Sequence, residues 1–479
     1  MTRLWQSIED RLVREGERHA FDTQHGQSVS YARLRELTAA IARDWTGEAP
    51  VAVLANRSIE AYVAVLACYR FGRTFVPLNP GFPVERLRKI VDRSGATTML
   101  FSGDHAEIAT QISLPMAHID LAAEGATREP SEPADDTTAY QLFTSGSTGE
   151  PKGVPITHAN LSHYVEHIVR TVGIKDHQRA SQFFDLSFDL SMHDIFVAMT
   201  TGGTIVPASQ MDLMMPHRYV AANSIDIWFS VPLLAVAAAR GQKAMPIKPC
   251  LKKAMFCGEA LPYDYARSMN ALLVDGGEIW NLYGPTEATI AFTAHRLDDD
   301  DAGEGIVPLG APFGANRIAV LAEGGVVDPE EGAEGELLLG GPQVFDGYKP
   351  ASDRDPFLTD ADGERFYRTG DLVRIVGGDI QYIGRADSQV KIRGHRVELG
   401  EIEAACKAVG GVDAAAAVLT GDPANPVIVI AFQGQPDARF DRLADVLPSY
   451  MIPKEYRHFE ALPTNVNGKI DRKAIGASL

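Results

Sequence analysis

The sequence predicts an α/β protein: a large N-terminal domain of parallel sheets flanked by helices, a small β-rich subdomain, and a small α+β C-terminal domain. Three observations carry that prediction. Over the first three hundred or so residues, short β-type runs alternate with longer amphipathic stretches. From about Ala311 the texture changes to short strands punctuated by glycine. After Gly384 a charged, glycine-broken crossing leads into a helix and further strands. Strand–helix alternation implies open parallel sheets covered on both faces.

In chain order, "VAVLAN" (51–56), "TTMLFSG" (97–103) and "TIVPAS" (204–209) read as strands. "RSIEAYVAVLACYRFG" (57–72) carries apolar residues at helical spacing and stops at Gly72, so it reads as a helix. "RIAVLAEGG", "GELLLGGP" and "GDLVRIVGGDIQYIGR" read as a β-rich unit, a distorted barrel. "DAAAAVLT" and "VIVIAF" follow as strands, then a helix near 438–447 and a polar tail. The boundary falls at Asp387, giving domains 1–386 and 387–479.

At 479 residues the chain is too long for one ordinary core. Its 45% hydrophobic and 23% charged content is that of a globular enzyme. A net charge of −18, with no basic stripe, argues against a nucleic-acid partner. The four cysteines (Cys68, Cys250, Cys257, Cys406) form no C-x-x-C pair, which fits a reducing cytoplasm and no structural zinc. The N-terminus is charged throughout its first turns and is no signal peptide, and the apolar runs are too short to span a membrane.

"LFTSGSTGEPKGVPITH" (142–158) gathers glycines and hydroxyls around Lys152, a composition suited to a polyphosphate. It is not a Walker loop. Counted from Gly146, the second glycine falls on Pro151, and Gly153 stands where Ser or Thr holds magnesium. A solvated surface loop is the other reading of this stretch alone. Four further segments follow in order: "NLYGPTEAT" (281–289), "YRTGD" (367–371), "GRADSQVKIRG" (384–394) and "NGKIDR" (467–472).

With this ordered set, the chain resembles an adenylation domain of the acyl-adenylate-forming superfamily. That group includes the amino-acid-activating domains of nonribosomal peptide synthetases, acyl-CoA synthetases and luciferases. The resemblance runs from "VSYARLREL" (29–37) to "NGKIDR". It implies ATP and Mg²⁺ as cofactors, and a reaction in which a carboxylate attacks the α-phosphorus and expels pyrophosphate. Two anions must meet, so the site has to supply donors and positive charge. By resemblance, Thr144, Ser145, Gly146, Ser147, Thr148 and Gly149 hold the β- and γ-phosphates, with Lys152 adding charge. Glu287 is the implied Mg²⁺ ligand, Thr286 contacts the α-phosphate, and Tyr283 lies on adenine. Gly258, Glu259, Asn281 and Gly284 complete the nucleotide site. Asp371 receives the ribose hydroxyls, helped by Arg385. Lys469, which by itself reads as a solvated tail lysine, is the implied catalytic cation. Asp387 falls at the implied hinge, about which a mobile C-terminal domain swings after adenylation. It reads equally as a plain linker.

"FFDLSFDLSMHDIFVAMTTGG" contains FDLS twice. Family members place a pocket aspartate thirteen residues before the glycine of a Thr-Gly, which from Gly202 selects Asp189 over Asp185. In amino-acid-activating members that aspartate pairs with the α-ammonium; a helix N-cap is its other possible role. Carried over, the remaining lining is Leu190, His193, Ser230, Met255, Cys257, Leu282, Ile290 and Ala291. His193 departs from the tryptophan of multidomain synthetases. "FCGEALP" (256–262) and "YGPTEATIAFT" (283–293) are closer to freestanding alanine- and proline-activating ligases. Met255, Cys257 and Leu282 leave room for a small apolar side chain, while His193 and Ser230 keep serine open. His158, His163 and His167 lack the H-E-x-x-H pattern of a metal site. Cys257 has nothing beside it to make it a nucleophile.

Only seven residues follow Arg472, so the expected acceptor is a separate thiol. The implied partners are a small neutral amino acid and the phosphopantetheine arm of a discrete acyl or peptidyl carrier protein. The alternative is an acyl- or aryl-CoA ligase, which shares the first half-reaction and uses coenzyme A.

Overall fold

The structure is a computed structural model. It describes residues 3–23, 26–124, 128–145, 150–298, 303–351, 355–387, 389–392, 394–408, 411–421, 426–464 and 470–479. Two parallel sheets form its larger part. One has six strands, in the order Met116–His118, Thr98–Phe101, Val51–Leu54, Phe75–Leu78, Thr138–Thr144, Lys152–Thr157. Only its last pair is antiparallel. The other has nine strands around a parallel centre of Leu273–Tyr283, Leu251–Phe256, Ile227–Ser230, Arg179–Gln182, Thr204–Pro207 and His19–Asp22.

The apolar runs become strands because both their faces are covered: Val51–Leu54 and Phe75–Leu78 are buried at every position. The stretch 57–72 forms the helix Ile59–Arg70, capped by the Ser58 side chain accepting from the Ala61 N–H. A single large core joins the two sheets through this helix and the helix Leu190–Thr201. Among the described residues no helix is long and apolar enough to cross a membrane.

The glycine-punctuated region is a six-stranded antiparallel sheet rather than a barrel. Its long strand Arg365–Val376 pairs along one edge with Glu334–Gly340 and along the other, in succession, with Phe357–Thr359 and Asp379–Arg385. That sharing leaves an open sheet.

From residue 389 the chain forms a hairpin (Gln389–Ile392 with His395–Glu398), a helix (Leu399–Ala408) and a three-stranded sheet. The stretch expected as a helix near 438–447 is only a short 3₁₀ turn, Asp441–Asp445. It is confined between Pro436 and Pro448, and Leu443 and Leu447 are both drawn into the core below.

The three-stranded sheet has two dressed faces. Ala415, Ala417, Ile428, Ile430 and Phe432 pack with Ile392, Val397 and Leu399, the side that carries the hairpin. Ala416, Val418, Val429 and Ala431 pack on the opposite side with Leu462, Ile470 and Ile475.

Candidate active site

The carboxyl ends of the parallel strands converge on one region, the usual location of a ligand site in open α/β sheets. A cavity of about 730 Å³ there is lined by Gly258, Glu259, Asn281, Leu282, Tyr283, Gly284 and Arg385, together with Gln389, Val390 and Lys391 of the hairpin. A smaller cavity, about 50 Å³, is lined by Asp189, Leu190, Cys257, Gly258, Tyr283, Gly284, Thr286, Asp371 and Arg385, with Lys391, Gly394 and Arg396 opposite. Residues far apart in sequence thus share one site.

Thr286 and Glu287 occupy a 3₁₀ turn just past the strand Leu273–Tyr283. Glu287 is wholly buried; its carboxylate accepts from Arg396 Nη1 (2.7 and 2.9 Å) and from the Tyr348 hydroxyl (2.7 Å). Burial pushes this carboxyl up, but the Arg396 guanidinium and the Tyr348 hydroxyl outweigh it and hold it below its ordinary range. The chain must pass very close to itself here. A Cβ on Gly284 would lie 2.7 Å from the Ala291 Cα, so only glycine fits.

Asp371 accepts from the Tyr283 hydroxyl (2.7 Å) and from Arg385 Nη1 (2.8 Å). Arg385 also forms a fork onto Asp387, with both contacts at 2.7 Å. Asp387 further accepts from the Gln389 N–H. Asn281 donates to the Val307 and Pro308 carbonyls.

Thr138–Thr144 pairs antiparallel with Lys152–Thr157, and the helix His158–Val172 begins only after the second strand. A Walker loop runs directly from strand to helix. Ser145 donates to the Arg396 carbonyl at 3.0 Å, the Thr144 hydroxyl is buried, and the Lys152 ammonium sits 5.3 Å from the Tyr348 ring centroid. Gly146, Ser147, Thr148, Gly149 and Lys469 lie outside the described residues. Ile470, next to Lys469, bridges to Thr464 on the sheet face opposite the hairpin.

Asp189 stands at the N-cap position of the helix Leu190–Thr201, but its side chain makes none of the bonds that cap a helix. Burial pushes its carboxyl up to about 7, Thr286 opposes that rise and nearby Glu287 adds to it. His193 is buried, its Nδ1 2.6 Å from the Tyr164 hydroxyl and its ring 4.2 Å from that of Phe229; burial holds it neutral, pushed down to about 3. Met255, Cys257, Leu282, Ile290 and Ala291 are buried in the same core. Burial pushes the Cys257 thiol up to about 12, so it is a packing group.

Ser230 stands apart from the small cavity. Its hydroxyl donates to the Val231 carbonyl and accepts from Trp228. It lines a different cavity, about 1020 Å³, with Asp185, Phe188, Val231, His395 and Tyr450. The His163 and His167 rings lie 4.3 Å apart, tilted by 43°, with His163 Nδ1 3.3 Å from Gln343.

Sequence reasoning missed Lys391, Gly394 and Arg396 on the hairpin, Tyr348 beside Glu287, and Gln343. The signal for the first three was present: cations clustered around a glycine in "QVKIRGHR". Gly394 is at φ +82°, its N–H donates to Glu259 (2.6 Å), and a Cβ there would sit 2.5 Å from Val231. Gln343 donates to the carbonyls of Ala288, Thr289 and Ala291, holding a loop in which Thr289 (φ +59°) and Ile290 (φ +71°) are left-handed.

Residues 8–349 match the family model described as AMP-binding enzyme, and the chain belongs to that family. It is 30% identical over 504 aligned positions to the D-alanine--D-alanyl carrier protein ligase of Bacillus mycoides (strain KBAB4), covering 99% of both chains. It is also 30% identical to bacitracin synthase 2 of Bacillus licheniformis over 89% of this chain, but spans only 16% of that synthase. Among solved structures, the Vibrio cholerae adenylation domain AlmE in complex with glycyl-adenosine-5'-phosphate superposes with a TM-score of 0.86 at 26% identity. The match covers 100% of this chain and 98% of that one.

Proposed function

We propose that the protein activates a small neutral amino acid with ATP and loads it onto a discrete carrier protein. A substrate carboxylate oxygen bonds to the α-phosphorus as the bond to the β-phosphate breaks, and pyrophosphate leaves. A pantetheine thiolate then bonds to the acyl carbon, the bond to AMP breaks, and AMP leaves. The observation that carries this reading is Asp189. It is a buried carboxylate, without a capping bond, in one small cavity with Thr286, Tyr283 and Asp371. A carboxylate in such a place calls for a cationic ligand group, and an α-ammonium supplies it.

The other roles follow from position. The 730 Å³ cavity takes the nucleotide, with adenine against Tyr283 and Gly258–Glu259 and the ribose at Asp371 and Arg385. Thr144, Ser145, Gly146, Ser147, Thr148, Gly149 and Lys152 take the departing phosphates. Glu287, an ionised oxygen donor, and the buried Thr144 hydroxyl fit Mg²⁺ once Arg396 withdraws; the ion would neutralise phosphate charge. The units 1–386 and 387–479 rearrange about Asp387. Lys469 serves adenylation, and the hairpin cations Lys391 and Arg396 face the site for thiol transfer. The 1020 Å³ cavity, which shares Phe188 with the small one, admits the thiol arm. A small substrate suits a cavity of about 50 Å³. The carrier ligase matched over 99% of its length supports the acceptor, and the glycyl-adenylate of AlmE supports the substrate size. Four unpaired cysteines accord with action in the cytoplasm.

ATP–pyrophosphate exchange across amino acids and carboxylic acids tests the reading. Exchange is expected with glycine, alanine or serine and not with large side chains. Exchange only with acids lacking an α-amine overturns it.

A further inference from the structure

The C-terminal unit is held against the larger part of the protein by a buried ion pair that lines neither cavity of the site. Arg86, on the helix Val84–Ser94, donates through Nη1 to Glu401 Oε1 at 2.5 Å. Glu401 belongs to the helix Leu399–Ala408, which directly continues the hairpin. Both side chains are almost fully buried, at 6% and 3% exposure. Burial pushes the Glu401 carboxyl up and Arg86 opposes that rise, with Lys89 and Glu150 the next charged groups facing it. Beside the pair runs an aromatic column. Phe188 stacks on His395 (5.8 Å), His395 lies parallel to Tyr450 (3.9 Å, 4°), and Tyr450 meets the edge of Phe82, over which the Arg86 guanidinium sits at 5.6 Å.

We propose that Arg86, acting through Glu401, is a positioning residue for the thiol-transfer half-reaction: the pair fixes the arrangement in which Lys391, Gly394 and Arg396 face the site. This rests on the two half-reactions proposed above. The physical basis is asymmetric. With Arg86 removed, Glu401 is a buried charge without a counterion only while the hairpin is docked; once that contact opens, water solvates it. Losing Arg86 therefore penalises one arrangement of the C-terminal unit and spares the other.

The test separates the half-reactions in Arg86→Met. ATP–pyrophosphate exchange is expected to stay within about threefold of wild type, while single-turnover transfer from preformed adenylate to a carrier thiol slows about tenfold or more. Arg86→Lys retains much of the transfer rate, and the exchange Arg86→Glu with Glu401→Arg restores part of it. A fold defect lowers both rates together, and that outcome overturns the proposal, as does an unchanged transfer rate. A second readout is independent of substrate: energy transfer between dyes on Glu107→Cys and Arg442→Cys in a Cys250→Ser background. Efficiency is expected to fall in Arg86→Met, and equal efficiency in both proteins overturns the proposal. A wild type that loads no thiol, with energy transfer still sensitive to Arg86, refutes the proposed acceptor and leaves the positioning role standing.

Discussion

The two walls of the small cavity differ in both charge and support. One wall carries Asp189 and Asp371, with the buried Glu287 next in chain to the lining Thr286, on turns and strands rooted in the sheets of the larger part. The facing wall is a two-stranded hairpin presenting Lys391 and Arg396, tethered by Arg396–Glu287, Gly394–Glu259 and Ser145–Arg396. The anionic wall is fixed by packing. The cationic wall is held by ion pairs, hydrogen bonds and the stacking of Phe188 on His395, and the polar part of that contact exchanges for water at small net cost. A surface held in that way can leave and return, whereas a surface held by packing cannot. On the proposed reading, Lys469, next in sequence to Ile470 of the opposite sheet face, is the other cation source for the same anionic wall.

The largest expected effect breaks the comparison between those two faces. Lys469→Ala should lower ATP–pyrophosphate exchange by about 10²–10³-fold while leaving transfer from preformed adenylate near wild type; equal loss in both steps would erase the division of labour. Next, Glu287→Gln should lower exchange by about 10²-fold and abolish the rise in Tm that ATP with Mg²⁺ gives the wild type. A normal rise would remove Glu287 from the metal site.

Asp189→Asn should raise the amino-acid KM about thirtyfold or more, since it strips one partner from a buried charge pair. It also has a pH signature. The wild-type carboxyl, pushed up to about 7, must ionise to bind an ammonium, so KM should climb as pH falls below about 7, and the variant should show no such climb. The stability sign is the reverse. Between its ordinary 3.8 and about 7 the folded state holds the proton that the unfolded state has released. Asp189 thus lowers the stability of the ligand-free protein as pH rises across that window, and Asp189→Asn should flatten that component in urea titrations.

A smaller effect sharpens the packing half of the comparison. Gln343→Ala should cost about 2–3 kcal/mol in urea unfolding, because it orphans carbonyls on a strained loop. The smallest concerns Ser230→Ala, which should shift amino-acid selectivity by less than about twofold, because that hydroxyl is already committed to Val231 and Trp228. A marked change in selectivity would bring Ser230 back to the substrate.

Much of the architecture was legible where burial on both faces forces a continuous apolar run. Val51–Leu54, Thr98–Phe101, Thr204–Pro207 and the helix Ile59–Arg70 fall within the stretches read from sequence. The failures lie where neighbours decide. The 3₁₀ turn Asp441–Asp445 carries helical residues, but two prolines and two buried leucines set its path. The glycine-rich strands alternate like a barrel, yet closure depends on which edges pair, and one long strand with three partners left the sheet open.

By itself the sequence determined the strand–helix alternation, the hydroxyl-rich loop with its lysine, and the order of the acidic and aromatic segments. These are local: backbone preference, apolar periodicity and side-chain chemistry act within a few residues. Only the tertiary structure decided that the Asp189 side chain makes no capping bond, that Arg385 ties Asp371 to Asp387, and that Arg396 closes on Glu287 across more than a hundred residues. Those outcomes depend on which charges are buried together, and burial is a property of the assembled fold.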